Sequence, residues 1–295
     1  MNQTTVICFG EVLWDSLPKG IFPGGAPVNV AYHLNQFGLR ALPVTAVGTD
    51  FLGEEFLRRF RYWNLDARFA GKVNKPTGAV VVDLDERGVP SYRFLEDVAW
   101  DAIPLSDELR VEAAGASAIV FGTLAQRGEF NRGQLARLRD WAGDAKQVFD
   151  VNLRPPYNDA AVVWRTARNC DAIKLNENEL AELLGRGIGM GEFETAVREF
   201  AGKTECIRIC LTAGEAGAGL LWEGEWFWEP TRQVEVRDTV GAGDSFLAAL
   251  LDGWLIRGLS PGDNLQRAAR VAEFVATRDG AMPVYYLDEE GYPVG

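Results

Sequence analysis

The sequence predicts a three-layer α/β core with a mostly parallel sheet and a small β-sheet lid. Three observations carry this expectation. Short apolar runs of strand length alternate with stretches of helical spacing along most of the chain. That rhythm breaks once, between Thr77 and Phe94, where two β-rich runs follow each other with no helix between them. Finally, a glycine-rich turn at Gly241 to Gly243 runs directly into a strongly apolar helix.

Thr5 to Phe9 reads as a buried first strand, Val28 to Gln36 as a helix ending at Gly38, and Leu42 to Val47 as the next strand. This β, α, β opening is typical of a parallel sheet with crossover helices. In GAVVVDLDERGVPSYRF the polar turn at Asp85, Glu86, Arg87 and Gly88 joins the arms of a hairpin. Alternation then resumes: strands at Ala118 to Gly122 and Gln147 to Val151 flank a helix from Asn131 to Ala142. Ala172 to Leu175, the helix Asn178 to Leu184, Cys206 to Thr212 and Gly219 to Trp222 continue it. With no fixed-period repeat or linker in view, residues 1–295 are expected to form one domain. Its lid is drawn from segments near 12–24 and 72–98.

At 295 residues and 47% hydrophobic composition the chain has material for a packed core without staples. Its four cysteines, Cys8, Cys170, Cys206 and Cys210, form no C-x-x-C pair, which argues against disulfides and zinc. MNQTTVICFGE lacks a basic leader and reads as a strand, and no run approaches the roughly 20 apolar residues of a membrane helix. A cytoplasmic protein is expected. The net charge of −12 argues against a duplex nucleic-acid surface but leaves room for one nucleotide held by backbone amides and a metal ion. His33 is the only histidine and falls in a helix, where a structural role is the simpler reading, so a general base should be a carboxylate.

The densest signal is DTVGAGDSFLAALLDGWL, Asp238 to Leu255. Phe246, Leu247, Leu250, Leu251, Trp254 and Leu255 define one broad apolar face of a helix beginning near Gly243. Gly241, Ala242 and Gly243 leave the first amides unobstructed, and these amides with the positive helix end make an anion site suited to a phosphoryl group. Asp244 at the helix mouth, held ionised by the dipole, could deprotonate an attacking alcohol; a helix cap explains it equally well.

This string, with Ala248 and Ala249 behind it, resembles the C-terminal signature of the ribokinase-like (PfkB) carbohydrate kinases. GGAPVNVAYHLNQFG, Gly24 to Gly38, resembles their N-terminal signature, and together the two signatures span nearly the whole chain. The resemblance implies Asp244 as base, the amides of Gly241, Ala242 and Gly243 as anion hole, and Gly25 and Asn29 as sugar contacts. GEVLWD adds Asp15 on sugar hydroxyls, and DVNLRP adds Arg154 as an electrostatic clamp on the transferring phosphate. Taken singly, Asp15 and Arg154 would be read as members of surface ion pairs.

KLNENEL resembles the family segment in which Asn176 and Glu179 organise Mg²⁺ through its waters; alone it reads as a helix N-terminus with a capping arrangement. LTAGEAGAG resembles the nucleotide loop, with Thr212 and Gly214 near ATP, and Phe274 to Gly280 stands where the adenine pocket is expected. In some relatives a monovalent cation, K⁺, sits behind the anion hole; Asp238 occupies the matching position. Gly202-Lys203-Thr204 is a decoy, since Val197 stands where a P-loop needs its first glycine.

The resemblance therefore implies an ATP-dependent and Mg²⁺-dependent sugar kinase. The GGAP form of the first signature, PTGAVVV, Tyr92 with Phe94, AWD at Ala99 to Asp101 and DVNLRP look most like bacterial fructokinases, making fructose the expected substrate. Ribose and 2-keto-3-deoxygluconate are the alternatives. A sugar-binding regulator without turnover is another, and a nucleotide-cofactor oxidoreductase has only the α/β rhythm behind it. A homodimer paired through the lid is the expected assembly.

Overall fold

The structure, a computed structural model, describes residues 4–17, 20–84 and 90–295. The first strand, β1 (Thr5–Phe9), is followed by β2 (Leu13–Leu17), β3 (Gly20–Gly24), α1 (Ala26–Gln36), β4 (Arg40–Gly48), α2 (Phe51–Tyr62) and β5 (Ala70–Val73). Next come β6 (Ala79–Leu84), β7 (Pro90–Phe94), α3 (Asp107–Ala114), β8 (Ala118–Gly122), α4 (Glu129–Ala142) and β9 (Lys146–Asp150). Then follow α5 (Ala160–Ala167), β10 (Ala172–Asn176), α6 (Glu177–Leu184), α7 (Phe193–Thr204), β11 (Arg208–Thr212), β12 (Ala218–Trp222) and β13 (Glu225–Glu229). The last long elements are α8 (Ala242–Asp252) and α9 (Pro261–Ala276).

Among the described residues the main sheet runs β13-β12-β11-β10-β9-β8-β1-β4-β5. From β5 to β11 every pairing is parallel, and β12 and β13 are added antiparallel at one edge. Because side chains alternate across a strand, β1 serves both faces: Val6 and Cys8 join one apolar cluster, Ile7 and Phe9 the other. The first cluster is completed by α1, α2, α8 and α9, the second by α3 to α7, which gives the expected helix, sheet, helix layering.

The small sheet has the order β3-β2-β6-β7. The predicted hairpin is present as the antiparallel pair β6–β7, with Val80 opposite Phe94. The turn expected at Asp85 to Gly88 lies outside the described residues. One boundary is corrected: Lys72 and Val73, placed in the lid by sequence, belong to β5 of the main sheet, and the lid strand begins at Ala79. β3 is an edge strand and exposes Ile21 and Phe22.

α8 begins at Ala242, one residue before the predicted start. Its apolar face does not run straight to Leu255, because Gly253–Arg257 widens into a π turn. Asn264 of α9 presses on Gly253, where an added Cβ would lie 1.8 Å from Oδ1, and its amide donates to the Leu250 carbonyl at 2.9 Å. An inserted side chain that captures a ladder carbonyl is a recognised cause of such a bulge.

One polar knot ties the entry of the lid to the core. Asp50 caps α2 by accepting from the Gly53 amide at 2.8 Å, and it accepts both the amide and the hydroxyl of Thr77, at 2.8 and 2.6 Å. The Thr77 hydroxyl in turn accepts from the Gly48 amide at 2.9 Å. Burial opposes ionisation of Asp50, but the hydrogen bonds from Thr77 and the amides outweigh it and hold its pKa below the ordinary value. Asp50→Ala should therefore cost about 1–3 kcal/mol of stability in urea unfolding at neutral pH. A carboxyl held low in the fold stabilises above the ordinary carboxylate range, so the difference between wild type and variant should shrink as pH falls through the folded value.

Candidate active site

In a parallel sheet the carboxyl ends of the strands share one edge, and crevices form there. The register aligns Asp150 with Lys174 and Asn176 with Thr212, so β9, β10 and β11 deliver these residues to that edge side by side. Gly10 and Glu11 follow β1 at the same edge, and α8 starts above it.

At the start of α8, Gly241 has φ of 79°, and a Cβ there would meet the main chain of Ala281 at 2.6–2.7 Å. Glycine is needed on both grounds. Of the three expected cradle amides, that of Ala242 closes a turn onto the Thr239 carbonyl at 3.2 Å, while those of Gly241 and Gly243 have no acceptor among the described residues.

Asp244 stands in the first turn of α8, which has no side-chain cap. Its Oδ2 instead accepts from Nδ2 of Asn29 at 2.7 Å, so the capping alternative does not describe it. Burial, reinforced by nearby Asp150, pushes its pKa up to about 6, against the pull of Lys174, Asn29 and Arg154. Desolvation is the largest cause, so the carboxyl ionises less readily than an exposed aspartate would.

The charge that opposes this shift comes from Lys174. Its ammonium is buried, bonds Asp150 Oδ1 at 2.9 Å, and would lie 3.3 Å from a Cβ built on Gly243, directly beneath the start of α8. Burial disfavours the charged form, yet Asp150, Glu179 and Asp244 together raise its pKa above the ordinary lysine range. The second oxygen of Asp150, Oδ2, is buried without a partner among the described residues.

Glu179 and Asn176 form the capping box of α6. The Glu179 amide donates to Asn176 Oδ1 at 2.9 Å, and Glu179 Oε2 accepts from the Asn176 amide at 2.8 Å. Glu179 Oε1 accepts from the Leu153 amide at 2.8 Å, which ties α6 to the turn bearing Arg154. Burial raises the Glu179 pKa. Both carboxylate oxygens are thus already engaged by the backbone.

Arg154 is exposed, and its guanidinium donates to its own chain at the Leu153 carbonyl, 3.0 Å away. Among the described residues neither Arg154 nor Asp15 enters an ion pair, so the surface-pair reading fails for both. Arg154 nevertheless acts across the cleft, lowering the pKa values of Asp15, Glu11 and Asp244. Asp15, on β2, is pushed up to about 6 by burial, with Arg154 opposing.

Gly24 and Gly25 admit two close approaches. A Cβ on Gly24 would meet Asp15 Oδ2 at 2.5 Å, and one on Gly25, where φ is 125°, would meet the Glu11 carbonyl at 2.4 Å. Gly25 thereby lets α1 start against the end of β1, which sets Asn29 one turn later over Asp244. The remaining polar atom of Asn29, Oδ1, is buried with no partner among the described residues.

Thr212 ends β11, and Gly214, with φ of 50°, opens the following loop, whose carbonyl accepts from the Thr231 hydroxyl at 2.9 Å. Asp238 Oδ1 accepts from the Val240 amide at 3.0 Å and Oδ2 from the Gly280 amide at 3.1 Å. That carboxylate joins the loop before α8 to the loop after α9.

Hydrogen bonds and charge coupling thus link Asp15, Asn29, Arg154, Glu179 and Asp244, Gly25 starts the helix that carries Asn29, Asn176 and Thr212 pair at the strand ends with Gly214 in the loop beyond, and Asp238 bonds the Gly280 amide. Sequence reasoning missed three members. Asp150 and Lys174 lay inside motifs singled out for other residues, although a lysine within the apolar run AIKLN was a visible signal. Glu11 is buried, with Oε2 unpartnered among the described residues, and burial pushes its pKa up to about 7 against its own amide, Arg154 and the Ala26 amide, while Asp244 adds to the rise.

Residues 20–285 match the family model described as pfkB family carbohydrate kinase. A fructokinase of Klebsiella pneumoniae is 30% identical over 282 residues, covering 88% of this chain and 87% of that protein. The fold is similar to that of a fructokinase with bound ATP from Xylella fastidiosa, with a TM-score of 0.80, 24% identity and coverage of 95% and 94% of the two chains. It is also similar to 2-dehydro-3-deoxygluconokinase of Thermotoga maritima, with a TM-score of 0.82, 21% identity and coverage of 96% and 97%.

A carboxyl raised in the fold destabilises the folded state once it ionises there. Asp244→Asn, which keeps an acceptor for Asn29, should accordingly raise stability at pH 8 by about 1–3 kcal/mol, with the gain vanishing below the ordinary carboxylate range. Denaturant titrations at several pH values check this. Lys174→Met should act oppositely, removing about 3–5 kcal/mol by leaving Asp150 uncompensated and driving the Asp244 titration, followed by carboxyl ¹³C NMR, above about 6.

Proposed function

We propose, from the premise that this chain belongs to the pfkB family of carbohydrate kinases, that it transfers the γ-phosphate of ATP to a primary hydroxyl of fructose. The observation that carries the chemistry is Asp244 itself. A carboxylate tuned toward neutrality, steadied by Asn29, stands beside the open amides of Gly241 and Gly243. Sugar specificity is supported by the 30% identity to the Klebsiella fructokinase.

In this reading Asp15, Gly25 and Asn29 orient the sugar. Asp244 takes the hydroxyl proton as the oxygen's electron pair attacks phosphorus, and the bond from phosphorus to the bridging oxygen breaks to release ADP. The amides of Gly241 and Gly243, the ammonium of Lys174 and the guanidinium of Arg154 stabilise the equatorial phosphoryl oxygens. The amide of Ala242 contributes only if its turn to Thr239 opens. Thr212 and Gly214 line the nucleotide side.

Mg²⁺ suits the donors present. Among the described residues no group of three or more His, Cys, Asp or Glu forms a protein cage, whereas Asp150 Oδ2 is a hard, unpartnered oxygen. An ion that brings water and phosphate oxygens needs little more. Asp150 would hold it directly and Glu179 and Asn176 through water, and it would supply charge neutralisation on the phosphates. Asp238 would shape a K⁺ site made chiefly of loop carbonyls.

The reading extends to a cytoplasmic homodimer paired through the edge strand β3, whose Ile21 and Phe22 are exposed. Among the described residues no helix is long and apolar enough to cross a membrane.

A coupled ADP-release assay with Mg-ATP over fructose, ribose, 2-keto-3-deoxygluconate, fructose 6-phosphate and glucose tests the proposal. Turnover should be highest with fructose, and Asp244→Asn should lower kcat on the order of 10²- to 10⁴-fold. A loss under about tenfold would remove Asp244 as base. Because the base must be ionised, kcat/KM should climb with pH through about 6 and level off above it, and the variant should lack this limb. Sugar binding by calorimetry without ADP release would favour the regulator instead.

A further inference from the structure

Helix α1 presents Asn29, Tyr32 and His33 on one face, at i, i+3 and i+4. Asn29 holds Asp244, as described. The Tyr32 hydroxyl donates to the Pro283 carbonyl at 2.7 Å, and Nε2 of His33 meets the Ala281 carbonyl at 2.9 Å. Nδ1 of His33 lies 2.8 Å from the Tyr285 hydroxyl.

The tautomer follows from the partners. A carbonyl can only accept, so Nε2 carries the proton; Nδ1 is then an acceptor, and Tyr285 donates to it. His33 is fully buried, and burial lowers its pKa to about 4, which keeps the ring neutral and this arrangement single. A satisfied buried histidine is commonly a core residue and nothing more. Here the carbonyl it grips belongs to Ala281, whose main chain abuts Gly241 so closely that no Cβ fits between them. The opposite side of the loop is held by Asp238 at the Gly280 amide.

We infer that His33 is a positioning residue for phosphoryl transfer, setting the anion-hole peptide at Gly241 through the main chain of Ala281. The inference rests on the kinase reading. Asn29 and His33 thereby fix the base and the phosphate cradle from one rigid helix, whose first residues also border the sugar side at Gly25.

The experiment uses the full chain with three variants: His33→Leu, His33→Gln, which retains an N–H donor, and Tyr285→Phe, which removes one hydroxyl. His33→Leu should lower kcat about tenfold or more with the KM for sugar within about twofold, and affinity for the Mg-ADP–aluminium fluoride complex, a mimic of the transferring phosphoryl, should fall in parallel. His33→Gln should recover most of both. A role confined to stability would lower the melting temperature without moving affinity for the mimic relative to ATP.

Since the chain has one histidine, ¹⁵N NMR of the imidazole reports this residue alone. It should show the Nε2-protonated form and shift when Mg-ADP–aluminium fluoride and fructose are added. In Tyr285→Phe, which serves if the His33 variants do not fold, mixed tautomers should appear and kcat should drop. A folded variant with kcat and mimic affinity within about twofold of wild type, or an imidazole signal unmoved by the mimic, overturns the inference. Wild type that neither releases ADP with any sugar nor binds the mimic overturns the kinase reading, and the inference with it.

Discussion

The cleft depends on one buried cation. Three carboxyl groups, those of Asp150, Glu179 and Asp244, converge at the carboxyl edge of the sheet, and the ammonium of Lys174 stands among them under the first turn of α8. Acids desolvated together would protonate, or the edge would open, without a compensating charge. With it, Asp150 stays paired and Asp244 is left near neutrality, where a carboxylate can both be ionised and accept a proton usefully. Parallel register supplies the means, because β9 and β10 carry Asp150 and Lys174 as neighbours.

The layered fold was legible in the sequence because period and length are local properties. β1, α1, β4, β8, β9 and the apolar helix α8 all fall within a few residues of their expected bounds. What could not be read was pairing. Nothing in LWDSL or AVVVDL says that β2 and β6 lie parallel, or that Val73 ends a main-sheet strand while Ala79 begins a lid strand. The site divided in the same way. Asp244, Asn29 and Gly25 were visible through motifs whose chemistry is local to one turn. Asp150, Lys174 and Glu11 acquire meaning only when segments distant in sequence come together, as Glu11 does with Arg154 and Asp244.

Burial and backbone bonding bear on two of the expected roles. The dipole at the start of α8 was expected to keep Asp244 ionised, and Glu179 was expected to organise Mg²⁺ through its waters. Burial pushes the Asp244 pKa up to about 6, and backbone amides engage both oxygens of Glu179. A helix terminus contributes a fraction of a charge that fades within a turn, whereas desolvation acts on the whole carboxylate. Glu179 still serves the cleft, since its bond to the Leu153 amide holds the turn from which Arg154 reaches across.

The buried oxygens without partners extend this argument. Among the described residues six buried side-chain oxygens lack a hydrogen-bond partner, and three of them, Glu11 Oε2, Asn29 Oδ1 and Asp150 Oδ2, belong to residues that bond or couple to Asp244. Leaving such groups unpaired costs the folded chain on the order of 1–3 kcal/mol each, so the three beside Asp244 oppose stability there. Donors or cations fit them: hydroxyl groups, water and a metal ion, which are what a phosphoryl-transfer site assembles. A fold stabilised at its Lys174–Asp150 pair and strained at these acceptors should gain stability when its ligands bind, which couples ligand affinity to the rigidity of the edge that holds Asp244 in place.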